Sequence, residues 1–594
     1  MKKGRCLASQ EIRELIKAGV IQVPNFDEGR IQPSSFEPVI GDTLFRLDTD
    51  EQGLFRTKQD QSVYRALLEL PERKRRKVDI SDGYELRRGF SYLFPLEERV
   101  SFGESFRYMK SSPKSSTGRV FPVTRLLTDH NPCFDEAGIP HQGMTLQMWL
   151  LLQPLAFNLI AGPGLSFNQL RFFAGFDAQL RDSEIVSLWG KSPLLLSKTD
   201  EGMASVPVSP AVAEALQLHL DLKGAETEGI VALRARQNPE PIDLRKSQDH
   251  TAEDYFEPVK SKDGSLVMRR GEHYLLTSEE VLNIPKHLNA ELAAHSHHGL
   301  MGPLHRAGFA DNGFHGKLVF EVTSEELSDV RLQDGMPIGE LRIYRTGVPD
   351  KIYGKKIGSN YQLQGLKVAK YFRDFDFKSA ARNYEKLNRE VLVQDAMVLT
   401  GNRKANPFGF ISSEDAKKIL MDVSKGFFHW RYDCEDDPSV LQVIPYTILF
   451  GPKKSVFSYV RAKDIADYGD KRLFGKHSIG LGGHIIRGDY PDYARRCLER
   501  EVFEEEVDVQ GHITEPVLLG TLFATDSPVD RVHFGLVYGI YVDGDISPKE
   551  RSISTGRLIP ISEIQRDPDV QNEYETWSSI LIPHLDKIWR LTSP

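Results

Sequence analysis

The sequence predicts a multidomain protein: two all-β copies, then a third region of mixed strands and helix. Three observations predict it. Arg88-Gly89-Phe90-Ser91-Tyr92 has a partner in Arg270-Gly271-Glu272-His273-Tyr274, an offset of 182 residues from 88 to 270. Both stretches lie among alternating, strand-like segments punctuated by Gly and Pro. After the second copy the composition turns to apolar strands such as Val443-Ile444-Pro445-Tyr446-Thr447-Ile448-Leu449-Phe450, with a Glu-rich helix further on.

A repeat this long marks a duplicated domain, since solenoid repeats run about 20–50 residues. A barrel or jelly-roll type fold is expected for each copy. The correspondence continues with Glu97-Glu98 against Glu279-Glu280, Gly118 against Gly299 after a one-residue slip, and Asp129 against Asp311. The expected domains are 1–185, 186–375, a connecting helix over 376–392, where Ser379 to Leu387 is polar and helix-prone, and 393–594.

With 594 residues the chain exceeds one ordinary core. A hydrophobic fraction of 40% suits a globular protein, and a formal net charge of -8 argues against nonspecific nucleic-acid binding. Arg73-Lys74-Arg75-Arg76-Lys77 is expected as a solvated loop. The longest apolar run, near Trp149-Leu150-Leu151-Leu152, is far short of the roughly 20 residues of a membrane span, so no membrane role is expected. No apolar stretch follows Lys2 and Lys3, so no secretory signal is expected at this end. Cys6, Cys133, Cys434 and Cys497 show no C-x-x-C spacing, so neither a disulfide framework nor structural zinc is expected, and the compartment expected is the cytoplasm.

Lys114-Ser115-Ser116-Thr117-Gly118-Arg119 concentrates phosphate chemistry: two cations, hydroxyls and a glycine that lets backbone approach a ligand. The second copy has His295, Ser296, His297 and Leu300 there, so most of that chemistry is gone. His295, His297 and His298 have no acidic or Cys partner at metal-ligand spacing, and no metal is expected on them. The second copy keeps Glu321, where alignment on Trp149 and Pro154 places Leu151 in the first. Each copy holds what the other lacks, which predicts one composite site, within or between chains.

The phosphate loop resembles the substrate loop of the dCTP deaminase/dUTPase family. Leu7 to Ile16 looks like that family's first helix, and Ile31-Gln32-Pro33-Ser34-Ser35-Phe36 like its following loop and strand, with Glu37-Pro38 in place of Asp-Leu. Ala307 to Phe314 resembles its Asp-Pro-Gly-aromatic turn, and Tyr353 to Gln364 its closing tail, with Asn360 where Lys is frequent. The resemblance covers about residues 1–375 and implies a β-clip fold, a homo-oligomer, and a dCTP or dUTP substrate with Mg²⁺ on the triphosphate. It implies Glu321 as catalytic residue and Lys114, Ser115, Ser116, Arg119, Asp311, Tyr353, Tyr361 and Gln364 as substrate-binding residues. Zinc deaminases carry H-x-E with P-C-x-x-C, and this chain has only Pro132-Cys133, so deamination without zinc is expected. A carboxylate must then move the protons. A dUTP-hydrolysing enzyme and a nucleotide-sensing module remain open.

In the third region Glu501, Glu504 and Glu505 stand at i, i+3 and i+4, which an α-helix puts on one face. Three carboxylates there suit Mg²⁺ or Mn²⁺. Gly482-Gly483, Gly488-Asp489 and Arg500-Glu501-Val502-Phe503-Glu504-Glu505 resemble the Nudix hydrolase box, with Val507 where Gly is usual. That resemblance implies an α/β/α sandwich completed by strands around Val532 to Val537. It also implies Glu501, Glu504 and Glu505 as metal ligands, Glu504 and Glu505 as catalytic residues, and cleavage of a nucleoside diphosphate-linked substrate. Conversion of dUTP to dUMP and pyrophosphate would couple the two halves.

Overall fold

The computed structural model describes residues 3–48, 55–138, 141–199, 202–206, 215–236, 239–261, 263–294, 308–324, 329–387, 389–401, 408–435, 437–461, 475–527, 529–549, 553–566 and 573–594. His295, His297, His298, Gly299 and Leu300 lie outside these residues. The chain divides into two units, Met1–Lys378 and Ser379–Pro594.

The first unit opens with α1 (Ser9–Lys17), whose Ile12 and Leu15, three apart, are buried, and whose Glu11 accepts a bond from the Ala8 backbone at its start. Strands β1 (Thr43–Leu47), β2 (Arg75–Asp79), β3 (Ser91–Ser101), β5 (Pro122–Thr128) and β7 (Thr145–Pro154) form a sheet in the order β2-β1-β3-β7-β5. β2 corrects the expected loop at Arg73–Lys77. Arg75, Arg76 and Lys77 pair with β1 at the sheet's edge, where charged side chains keep a strand wet and block further pairing. Strands β4 (Tyr108–Pro113), β6 (Glu136–Ala137) and β8 (Asn168–Phe173) make a second sheet, with β4 between the other two.

The second copy reuses the plan. β11 (His273–Asn283) pairs with β9 (Ile230–Ala235) and β14 (His315–Thr323), and β9 pairs with β10 (Phe256–Lys260). β12 (Leu288–Ala294) lies between β13 (Phe309–Ala310) and β15 (Pro337–Arg345). β3 and β11 start 182 residues apart, at Ser91 and His273. The register of β3 against β7 shifts between Pro95 and Arg99, and that of β11 against β14 between Thr277 and Val281, at the same offset. Leu93 faces Leu151, and its counterpart Leu275 faces Glu321. Leu151 thus occupies the place of Glu321 in the first copy.

One correspondence is corrected. Asp311 follows β13, which pairs with β12, whereas Asp129 follows β5, which pairs with β7. The strand standing as β13 does is β6, paired with β4, so the topological counterpart of Asp311 lies beside Ala137. Sequence offset misled there because the loops between strands differ in length.

The helix expected over 376–392 is α3 (Phe377–Leu387), and Glu390 already begins a strand. In the second unit, β16 (Glu390–Asp395), β17 (Val440–Gly451), β19 (Val517–Phe523) and β20 (His533–Pro548) lie in one sheet in the order β19-β20-β17-β16, with β17 parallel to β20. All of β17 after Val440 is buried, as expected of a central strand covered on both faces. Short β18 (Gly480–Leu481) pairs with β17. Helix α4 (Arg431–Cys434) precedes β17, and α5 (Tyr493–Leu498) runs into a π-helical segment, Glu499–Glu506.

Candidate active site of the first unit and carboxylate helix of the second

A cavity of about 260 Å³ opens in the first unit, walled by both copies. Lys114, Ser115, Ser116, Arg119, Asp311, Glu321, Tyr353, Tyr361 and Gln364, all nine singled out in the sequence of this unit, line it. The composite arrangement therefore forms within one chain. Helix α2 (Ser115–Gly118), directly after β4, lays the hydroxyls against the tail. Ser116 Oγ lies 2.6 Å from Tyr361 Oη, and Arg119 donates to Gln364 Oε1 at 2.8 Å and to the Lys367 carbonyl at 2.8 Å. The Arg119 guanidinium sits 4.0 Å from the Tyr361 ring centroid. Gln364 in turn donates to the Lys317 carbonyl of β14, and Gly316 there lets the tail approach: a Cβ on it would lie 3.0 Å from the Gln364 nitrogen.

Glu321 is 1% exposed, and Arg119 Nε approaches its carboxylate to 3.8 Å. A carboxylate and a guanidinium buried this deeply balance each other's charge in a medium that solvates neither well. Lys114 pairs with Glu37 at 2.5 Å, so an incoming anion competes with a carboxylate for that ammonium.

Asp311 is held by groups the sequence did not single out. Arg171 of β8, fully buried, donates to Asp311 at 3.1 Å and to the Ala290 and Ala310 carbonyls at 2.7 and 3.0 Å. Ser34 Oγ lies 3.4 Å from the same carboxylate and accepts from Asn289. Burial pushes the Asp311 carboxyl above its ordinary range, and Arg171 works against that shift. The available signal was Arg171 itself, a charge inside the otherwise uncharged strand Asn168–Phe173. Lys370 was also missed. It lines the cavity, and burial, then Lys114, lower its ammonium below the ordinary lysine range. It lies past the tail motif, in a segment whose fold back onto the cavity no local pattern announces.

In the second unit the α-helical winding expected under the three carboxylates is corrected. The segment carrying them is wound with i→i+5 bonding rather than α-helical spacing. Glu501 is buried and paired with Arg500, while Glu504 turns to Arg496 at 2.9 Å and Glu505 to Arg500 at 3.4 Å. Burial raises the Glu501 carboxyl, opposed by Arg500. Arg500 also grips Asp489 at 3.0 Å. The donors still suit a hard cation, being all oxygen, and Gly483 leaves a cradle: a Cβ there would lie 2.1 Å from the Glu501 carboxyl carbon.

Two family models match the first unit: the 2'-deoxycytidine 5'-triphosphate deaminase N-terminal domain over residues 3–176 and its C-terminal domain over 185–372. Protein YmaB of Bacillus subtilis is 29% identical over 32% of this chain and 98% of its own length. A Corynebacterium glutamicum protein named dCTP deaminase, dUMP-forming, is 33% identical over 20% of this chain and 67% of its own, and for the Parafrankia protein of that name the chain spans 59%. The crystal structure of 2'-deoxycytidine 5'-triphosphate deaminase from Agrobacterium tumefaciens matches with 27% identity and a TM-score of 0.52, over 59% of this chain and all of that one. The crystal structure of Tm1382, a putative Nudix hydrolase, matches over 34% of this chain and all of that one, with 26% identity and a TM-score of 0.27. Through both domains of its first unit, the chain belongs to the dCTP deaminase family.

Proposed function

We propose that the first unit hydrolyses dCTP to dUTP and ammonia, with Glu321 moving the protons. The observation that carries this reading is the burial of Glu321 in a cavity walled by phosphate-binding chemistry from one copy and a latched tail from the other. Water adds at C4 of cytosine as the Glu321 carboxylate takes its proton. The same carboxyl passes that proton to N3, takes the proton of the new C4 hydroxyl and delivers it to the amino nitrogen, the C4–N bond breaks, and ammonia leaves a uracil carbonyl. Arg119, 3.8 Å away, holds the carboxylate in place and balances its charge. Ser115, Ser116, Lys114 and Lys370 supply hydroxyls and cations for phosphate oxygens. Tyr361 and Gln364, tied to Ser116 and Arg119, keep the tail shut over the cavity and exclude bulk water.

The second unit is read as a Nudix-type pyrophosphohydrolase on the strength of its box and the Gly483–Glu501 cradle. Glu501, Glu504 and Glu505 would hold Mg²⁺ or Mn²⁺, which when bound supplies water activation and neutralises phosphate charge. Before that, Arg496 and Arg500 must release Glu504 and Glu505.

A second reading has support in the Corynebacterium and Parafrankia relatives, which are dUMP-forming dCTP deaminases: the first unit itself forms dUMP. One experiment separates the two. Full-length Glu504→Gln is given dCTP and Mg²⁺, and the products are resolved by chromatography. Accumulation of dUTP supports division of labour between units; dUMP and pyrophosphate at wild-type rate assign both cleavages to the first. Absence of ammonia from the wild type overturns the deaminase reading.

A further inference from the structure

Glu435, His484 and His533 bring one potential ligand atom each to within 4.8 Å of one another, the one such group of three among the described residues. They come from three places in the second unit: the end of α4, the residue after Gly482-Gly483, and the first residue of β20. His533 Nδ1 lies 2.8 Å from the Val529 carbonyl. A carbonyl only accepts, so Nδ1 carries the proton and Nε2 presents a lone pair. That lone pair points at His484 Nε2, 3.3 Å away. Two nitrogens ligating one tetrahedral zinc at about 2.0–2.1 Å are separated by about 3.3–3.4 Å, the edge of the tetrahedron. Both imidazoles are buried, and the Glu435 side chain is 12% exposed.

We propose that Glu435, His484 and His533 form a binding site for a borderline divalent ion, Zn²⁺ in the first instance, separate in ligand type from the carboxylate helix. Two imidazoles and one carboxylate favour zinc over magnesium, which prefers oxygen and near-octahedral shells. Three protein ligands leave a fourth position open. Arg431 donates to Glu435 at 2.7 Å and Val529 fixes the His533 tautomer, the kind of outer support that metal ligands receive. His484 lies well below the ordinary imidazole range through burial first, then Arg431, His533, Arg389 and Arg500, and the neutral ring is the form that ligates. The same guanidiniums oppose a bare dication, so the fourth ligand is anionic, and hydroxide derived from water meets that need. Spacing in the sequence could not show this set, because its members are 49 residues or more apart.

The test uses the full-length chain stripped with a chelator, then titrated with Zn²⁺ alone in excess Mg²⁺, with bound zinc counted by mass spectrometry. One Zn²⁺ per chain is expected at this site. His484→Gln and His533→Gln should each weaken it by more than the roughly 10–100-fold that losing a supporting partner costs. Glu504→Gln should leave it unchanged. Co²⁺ in the unmutated chain should show the visible bands of a four-coordinate ion with nitrogen ligands, a readout independent of whether either variant folds. Zinc that Mg²⁺ displaces, a six-coordinate Co²⁺ spectrum, or folded His variants that bind as the wild type does would overturn the site and leave the imidazoles sharing a hydrogen bond only.

Discussion

Glu321 and Lys370 carry the sharpest predictions at the scale of single residues. Glu321→Gln keeps size and hydrogen bonding but cannot take a proton from water. Deamination should fall about 10²-fold or more while nucleotide affinity, measured by calorimetry, stays close to wild type. Near-normal ammonia release would remove Glu321 from the chemistry. Lys370 has an ammonium pKa lowered by burial and by Lys114. Its charge is present below that pKa and lost as pH rises through it, at a pH below that of an ordinary lysine. Triphosphate affinity should therefore weaken on the alkaline side at a lower pH than solvent-exposed lysines would produce. Lys370→Ala should cost roughly tenfold in affinity at neutral pH and flatten the alkaline limb, since a charged hydrogen bond contributes about 1.5–3 kcal/mol. An unchanged pH profile would assign the limb to another group.

At the scale of elements, β8 reaches β12 and β13 of the other copy through Arg171. Arg171→Met removes the cation but leaves Asp311 buried. Breaking one partner of a buried pair costs about 3–5 kcal/mol, so the urea midpoint of the first unit's transition should drop by a corresponding amount. Arg171→Met with Asp311→Asn should recover much of the loss, because no uncompensated carboxylate remains. Equal stability of the single variant and the wild type would show that the pair does not hold the copies together. The tail is the second such element. Arg119 holds Gln364, Lys367 and Tyr361 at once, so Arg119→Ala should loosen residues 353–370 in hydrogen exchange as well as weaken phosphate binding. Ser115→Ala should weaken binding alone.

At the scale of the whole molecule, the proposed functions give the two units different chemistry. Chelation should stop pyrophosphate release by the second unit outright, because the proposed mechanism has metal activate its water. Deamination should fall only as far as triphosphate binding needs Mg²⁺. Parallel assays of ammonia and pyrophosphate on one chelated sample check this, and equal loss of both would contradict independent sites. The carboxylate segment adds a condition: Arg496 and Arg500 now occupy Glu504 and Glu505, so Mn²⁺ should raise the second unit's unfolding temperature only once it outcompetes them.

The sequence by itself determined the duplication, nine of the residues that line the first unit's cavity, and the family. Each is carried by residue type and order along the chain, and the register shifts of β3 and β11 keep the same offset the repeat shows. It also identified Leu151 as the counterpart of Glu321, because strand pairing preserves alternation. Only the tertiary structure decided how these parts meet. Lys370 is ordinary by local pattern, Arg171 shows there only as a lone charge in an uncharged strand, and both gain their roles through long-range folding. Asp129 looked like a partner of Asp311 because offset ignores loop length, while sheet topology does not. The Glu501, Glu504 and Glu505 row assumed α-helical winding, which the wide turn and its arginine partners replace. Glu435, His484 and His533 meet through pairing and burial across distant segments, and no spacing rule along a chain encodes that.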